Sequence, residues 1–192
     1  MATKTSLTFR IFNKFGIIHN EEKYGRISIF GIIFHTLATI KKGICFKLAY
    51  YPSIFPSIWF NRLRASMWRS MGCKVGKGVC IGHSVSMDIG NPELIEVEDN
   101  VIITNCCIVL CHRRDMAGYR KFDEAWELPY IYRPVVLKKG CQIGMGSIIM
   151  PGVTIGEGAI IGARSVVTRD VPAWTIAAGS PCKVIKDIEE RK

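Results

Sequence analysis

The chain has 192 residues, 48% of them hydrophobic and 22% charged, with a formal net charge of +10. That composition excludes a disordered or low-complexity chain and fits one domain of ordinary size with a segment to spare. The charge is uneven: residues 1–74 hold 12 Lys/Arg against 2 Asp/Glu, whereas residues 75–192 hold 14 of each, so the whole excess lies in the first segment.

A basic segment can meet nucleic acid, anionic lipid or an acidic partner, or serve solubility alone. Residues 1–74 are also apolar and are expected to be helical. The run ISIFGIIFHTLATI, Ile27 to Ile40, is interrupted by His35 and stopped by Lys41 and Lys42. It is shorter than the roughly 20 residues that a spanning helix needs. No small-x-small cleavage pattern follows it, which argues against a secretory leader. PSIWFNRLRASMWRSMG, Pro56 to Gly72, predicts an amphipathic helix with Ser57 at its start and Gly72 at its end. Trp59, Phe60, Leu63, Met67 and Met71 are expected on one side, with Arg62, Arg64 and Arg69 largely off it. A basic, aromatic, amphipathic helix suits a membrane surface. It equally suits packing on the rest of the protein or on a neighbouring subunit.

From Val75 the chain reads in sixes: VGKGVC, IGHSVS, then VEDNVI and ITNCCI from Val97 to Ile108. From Leu137 to Pro172 it runs without a gap through LKKGCQ, IGMGSI, IMPGVT, IGEGAI, IGARSV and VTRDVP. The first position is Leu, Ile or Val, the second is usually Gly, and the fifth is small. A strand alternates sides every two residues, so a hexad predicts a short strand plus a sharp turn, and three hexads close a triangular coil. First-position aliphatics then stack inward from coil to coil, as in any solenoid. Glycine is expected here for turn dihedrals that other residues resist. MDIGNPELIE, Met87 to Glu96, is a longer unit expected to contain a bulge or loop. The eight cysteines lack paired metal spacing, and several stand where small apolar residues are expected. They read as thiols of a reducing cytoplasm.

The hexad that begins at Val109 fails at His112, and a loop of residues 113–133 follows. It is long for a connection without structure of its own, and such loops are commonly functional. It carries Tyr119, Phe122, Trp126, Tyr130 and Tyr132 together with Arg113, Arg114, Arg120 and Lys121. These suit a sugar's C–H face and an anionic group, or they anchor the loop to a neighbouring subunit.

These hexads, with GVTIGEGAIIGARSVVTRDVPAWTIAAGSPCKVIK the most specific part, resemble those of the hexapeptide-repeat acyltransferases. That superfamily is built on a left-handed parallel β-helix. The nearest groups are the maltose, galactoside and xenobiotic O-acetyltransferases and the polysaccharide O-acetyltransferases. The resemblance covers about Val75 to Lys186. It implies a mainly β fold: an N-terminal helical segment (1–74), a left-handed β-helix acyltransferase domain (75–186, with loop 113–133) and a tail (187–192). It also implies a homotrimer with active sites between subunits. His112 stands where the family has its catalytic base. A neutral imidazole can take the proton of an acceptor hydroxyl as it attacks an acetyl thioester, then protonate the departing thiolate. Asp88 stands one coil earlier, where the sugar enzymes have an Asn that contacts the acceptor; as Asp it could accept a sugar hydrogen bond or orient His112. Asp115 is an alternative orienting group, and with Trp126 a candidate substrate contact.

Acetyl-CoA is the implied donor. The family's contacts to it map onto Met145, Gly146, Ala163, Thr168 and Arg169, with Lys183 and Lys186 suited to the nucleotide phosphates. Met145 replaces a common Ser and Arg169 a common Lys. Trp174 could flank the adenine or simply pack. His83 falls in a turn, and with His112 it gives the repeat two histidines, short of the three a metal-dependent relative on this fold would need; no metal and no nucleic-acid partner are expected. The expected reaction is O-acetylation of a sugar or polysaccharide precursor in the cytoplasm. Residues 1–74 would reach the inner face of the cytoplasmic membrane. N-acetylation of an amino-sugar nucleotide, acylation of another small molecule, and a non-catalytic scaffold are the alternatives.

Overall fold

Each hexad lays down one two-residue strand and one corner, and stacking brings equivalent hexads into parallel register. The computed structural model describes residues 6–14, 28–51 and 57–190. Three parallel sheets form the faces of a prism. Sheet A contains β1 (Lys74–Val75), β4 (Ile95–Val97), β9 (Val135–Leu137) and β12 (Thr154–Ile155). Sheet B contains β2 (Cys80–Ile81), β5 (Ile102–Ile103), β10 (Gln142–Ile143), β13 (Ile160–Ile161) and β15 (Thr175–Ala178). Sheet C contains β3 (Ser86–Met87), β6 (Ile108–Val109), β11 (Ile148–Ile149) and β14 (Val166–Val167). The ladder residues are the hexads' first and last positions, as in Ile103–Ile143–Ile161.

The core is the stack of first positions: Val97, Ile103, Val109, Leu137, Ile143, Ile149, Ile155, Ile161 and Val167 are all buried. The small fifth positions Val101, Cys107, Cys141, Ser147, Val153, Ala159, Ser165 and Val171 are buried beside them. Each aliphatic burial of this kind contributes about 1.5–3 kcal/mol.

The second-position glycines have a different cause from the one expected. Left-handed backbone occurs at the fourth position, with φ of 70° at Gly78, 56° at Ser84, 59° at Asn100, 62° at Cys106 and 57° at Arg164. The second position is glycine because the next coil's backbone passes too close. A Cβ on Gly144 would lie 2.5 Å from Ala163 N, and one on Gly156 would lie 2.3 Å from Ala173 N.

The unit Met87–Glu96 holds a 3-10 turn, Pro92–Leu94. At the far end β16 (Lys183–Asp187) turns back antiparallel on β15. Gly158 sits under the Trp174 ring, where a Cβ would meet the ring at 2.5 Å, so Trp174 packs on the coil although it is 55% exposed.

The chain divides into two units, Met1–Ile44 and Cys45–Lys192. Described helices are α1 (Leu7–Lys14), α2 (Ile29–Tyr50) and α3 (Ser57–Met71). The α3 helix lies in the second unit and packs on β1 and β2. Its buried face is Arg64, Ala65, Trp68 and Met71, whereas Leu63 is exposed. That rotates the apolar side from the one expected, because the end of the solenoid takes the large Trp68 ring, which meets Phe46 edge-on at 5.9 Å. The side chains of Ser57, Trp59 and Phe60 lie outside the described residues. Among the described residues no helix is long and apolar enough to cross a membrane.

Candidate active site

Asp88 is the first residue after β3, on the corner between sheets C and A. Its N–H donates to Val109 O at 3.1 Å, which fixes the residue in the coil. Its Oδ1 accepts from Gly90 N at 3.0 Å, and Asn91 Nδ2 reaches the carboxylate at 3.4–3.5 Å. One coil later, at the same corner, the chain leaves the solenoid. Val109 is followed in the ladder by Ile149, 40 residues on, where the regular coil from Ile149 to Val167 takes 18.

The excursion has a structure that was not expected of it. β7 (His112–Arg114) pairs antiparallel with β8 (Tyr130–Tyr132), His112 opposite Tyr132. Asp115 N donates to Pro129 O and Arg133 N to Cys111 O, both at 2.8 Å. The Arg114 guanidinium donates to Leu128 O and lies 4.1 Å from the centre of the Tyr130 ring. The hairpin therefore begins at His112 itself, on hydrogen-bonded backbone.

The imidazole Nδ1 of His112 is hydrogen-bonded to Asp88 Oδ2. The Asp88 side chain is 5% exposed and that of His112 36%. Burial pushes the Asp88 carboxyl upward, but the His112 hydrogen bond and charge, with Asn91 and Gly90, outweigh it and hold the group below its ordinary value. An ionised carboxylate only accepts, so in the neutral ring Nδ1 carries the proton and Nε2 the lone pair. Tyr130 stands edge-on to the imidazole with ring centres 5.3 Å apart, and Tyr132 lies at 6.0 Å. The neighbouring Cys111 is buried, and burial followed by the Asp88 charge pushes its thiol up to about 12. Near neutral pH it stays a thiol rather than a nucleophilic thiolate.

The other candidates are placed as follows. Asp115 accepts from Ala117 N at 3.0 Å and the orienting contact to His112 is made by Asp88. Trp126 stands on a 3-10 turn, Ala125–Glu127, and is 68% exposed. Thr168 and Arg169 are exposed on the His112 corner, following β14. Met145, Gly146 and Ala163 lie on the other edge of sheet C, at the corner that also holds His83, whose Nδ1 is 3.2 Å from Ser84 Oγ. Lys183 and Lys186 are exposed on β16. The site thus gathers Asp88 and His112 but leaves the remaining candidates on the hairpin excursion, two corners and a sheet edge of one chain. Sequence reasoning missed Asn91; the signal was its place three residues past Asp88 in DIGN, a spacing that lets an amide turn back onto a carboxylate. It also missed a cleft of about 400 Å³ on the His112 corner, lined by Arg113, Arg133, Met150, Pro151, Gly152 and Thr168. Among the described residues no three His, Cys, Asp or Glu side chains gather as a metal site.

The family model "Bacterial transferase hexapeptide (six repeats)" matches residues 134–169. The chain is 32% identical over 155 residues to "Putative acetyltransferase YvoF" of Bacillus subtilis, covering 80% of each chain. A maltose O-acetyltransferase structure from Clostridium difficile 630 superposes with a TM-score of 0.58 at 27% identity, over 80% of this chain and 89% of that one. The N-acyltransferase AntD of Bacillus cereus, a point mutant in complex with dTDP and coenzyme A, gives a TM-score of 0.50 at 30% identity, over 58% of this chain and 61% of that one. Three further curated acetyltransferases are matched over only 27%, 57% and 24% of their own length. The coils are those of a left-handed parallel β-helix, and the chain belongs to the hexapeptide-repeat acetyltransferase family.

Proposed function

We propose that the protein transfers the acetyl group of acetyl-CoA to a sugar hydroxyl, in the biosynthesis of a surface polysaccharide or lipopolysaccharide, with His112 as general base. The observation that carries this reading is the Asp88–His112 pair, which commits Nδ1 and leaves Nε2 as the basic atom on a half-open imidazole. The acceptor oxygen attacks the thioester carbonyl carbon while Nε2 takes its proton; the C–O bond forms, the C–S bond breaks, and the proton passes to the coenzyme A sulfur. The oxygen that becomes negative in between needs a donor, for which a backbone N–H of an adjacent coil is suited. Asp88 positions the ring and steadies the imidazolium that forms.

Tyr130 and Tyr132 flank the imidazole and offer aromatic faces and hydroxyls to a sugar ring. Thr168 and Arg169 would hold the donor on the His112 corner, and Met145, Gly146 and Ala163 would hold it from a neighbouring chain, with Lys183 and Lys186 toward the nucleotide. Their separation on one chain supports a homotrimer with shared sites. An acetyl-CoA-dependent reaction of this kind belongs in the cytoplasm.

A second reading, N-acetylation of an amino-sugar nucleotide, is supported by the likeness to AntD, whose structure contains dTDP and coenzyme A. The purified chain is incubated with acetyl-CoA and a panel of sugars and amino sugars, and thiol release is followed. Hydroxylamine then cleaves ester products and spares amides. An ester and a loss of about 10²–10⁴ in kcat for His112→Ala are expected. A folded His112→Ala variant with full turnover would overturn the mechanism. No thiol release with any acceptor would favour the scaffold.

A further inference from the structure

In the helix expected at a membrane surface, residues 56–72, the positions Arg64, Ala65, Trp68 and Met71 are buried, and the helix packs on β1 and β2. A different helix carries the exposed apolar surface. Along α2, Phe30 is 83% exposed and Phe34 76%, and Ile33, Leu37, Ile40, Ile44 and Leu48 are each at least half exposed. At 100° per residue these seven positions fall within an arc of about 120°. At 1.5 Å per residue the stripe is about 27 Å long. The half-buried and buried positions Ala38, Cys45, Phe46 and Ala49 fall on a separate arc. A continuous exposed apolar stripe of this size marks an interaction site.

Charge selects the occupant. Neither α1 nor α2 contains an Asp or Glu. Lys47 is exposed just outside one edge of the stripe and Lys41 just inside the other, where long side chains can lie along apolar surface and lift their ammonium groups. On α1, Leu7 and Ile11 are exposed one turn apart, alongside exposed Arg10 and Lys14. Two copies pairing face to face through this stripe would set lysine against lysine. An anionic bilayer supplies both apolar chains and negative headgroups.

We propose that α2 is a peripheral membrane helix that lies in the interface of an anionic bilayer, with the Phe30–Leu48 stripe among the acyl chains and the lysines at the lipid phosphates. This surface is independent of the acyl-transfer reading and would hold for a scaffold as well.

The full-length protein is floated with phosphatidylcholine vesicles and with vesicles containing one-quarter phosphatidylglycerol, about 25% anionic lipid. Co-flotation with the anionic vesicles, weakened by salt, is expected. Phe34→Glu/Leu37→Glu is expected to lower the bound fraction at least tenfold, and Lys41→Glu/Lys47→Glu by about tenfold; the second pair keeps the test decisive if the first does not fold. Absence of wild-type flotation overturns the proposal. Equal flotation of the folded variants overturns it too, as does salt-insensitive binding to phosphatidylcholine alone. If the substitutions instead change the oligomeric mass and leave flotation intact, the stripe is an interface between copies and the proposal fails.

Discussion

In the proposed mechanism His112 acts through the ring nitrogen that Asp88 does not touch. Replacing Asp88 by Asn keeps the shape but offers Nδ1 either an acceptor or a donor, so the ring is no longer held in one tautomer. The Asp88→Asn variant is expected to lose about 10- to 10³-fold in kcat with little change in KM for acetyl-CoA, read from steady-state kinetics. The same residue ties stability to pH. Its folded pKa lies below its unfolded one, so its contribution is full above the ordinary carboxylate range and is lost as pH falls through the folded value. Thermal unfolding measured across the acid range should therefore show a shallower decline for Asp88→Asn than for the wild type. The break at His112 was legible in the sequence because the hexad stops there. The choice between Asp88 and Asp115 was not, since stacking of coils 24 residues apart in sequence places one carboxylate on the ring while a local turn occupies the other.

At the scale of the element, the hexad was legible because its recurring positions obey local steric demands. First positions face the axis, fourth positions turn the corner, and second positions pass under the next coil. The last demand gives a sharp contrast between two glycines. Gly144→Ala pushes a Cβ to 2.5 Å from a backbone nitrogen, whereas Gly118 has nothing within 4 Å of the same atom. Gly144→Ala is expected to cost about 1–3 kcal/mol in urea unfolding and Gly118→Ala less than about 0.5 kcal/mol. Two elements were not legible. The β7–β8 hairpin depends on cross-strand pairing of His112 with Tyr132 and on the Arg114 contacts, and no tight-turn signature joins its strands. The buried face of α3 depends on which ring fills the end of the solenoid, and Trp68 rather than Leu63 does so.

The whole solenoid has open ends, and an unpaired parallel edge is a template for another chain. Here α3 covers the first coil, and β16 turns back along β15 with exposed Lys183 and Lys186. A chain ending at Gly179 leaves the β15 edge bare. It is expected to keep its far-ultraviolet strand signal while light scattering reports growth to large assemblies with concentration; an unchanged mass would count against a protective role for β16.

The stacked corner also acts as a ruler. β6, β11 and β14 are successive rungs of sheet C, and rungs in a sheet are about 4.8 Å apart. Thr168, just after β14, therefore stands two rungs from the level of β6, where the chain departs toward His112. Distance along this corner comes only in whole rungs, so the reach demanded of any molecule spanning it is quantised. One extra coil of 18 residues between β6 and β14 would lengthen that span by a single step and leave each rung's own geometry untouched.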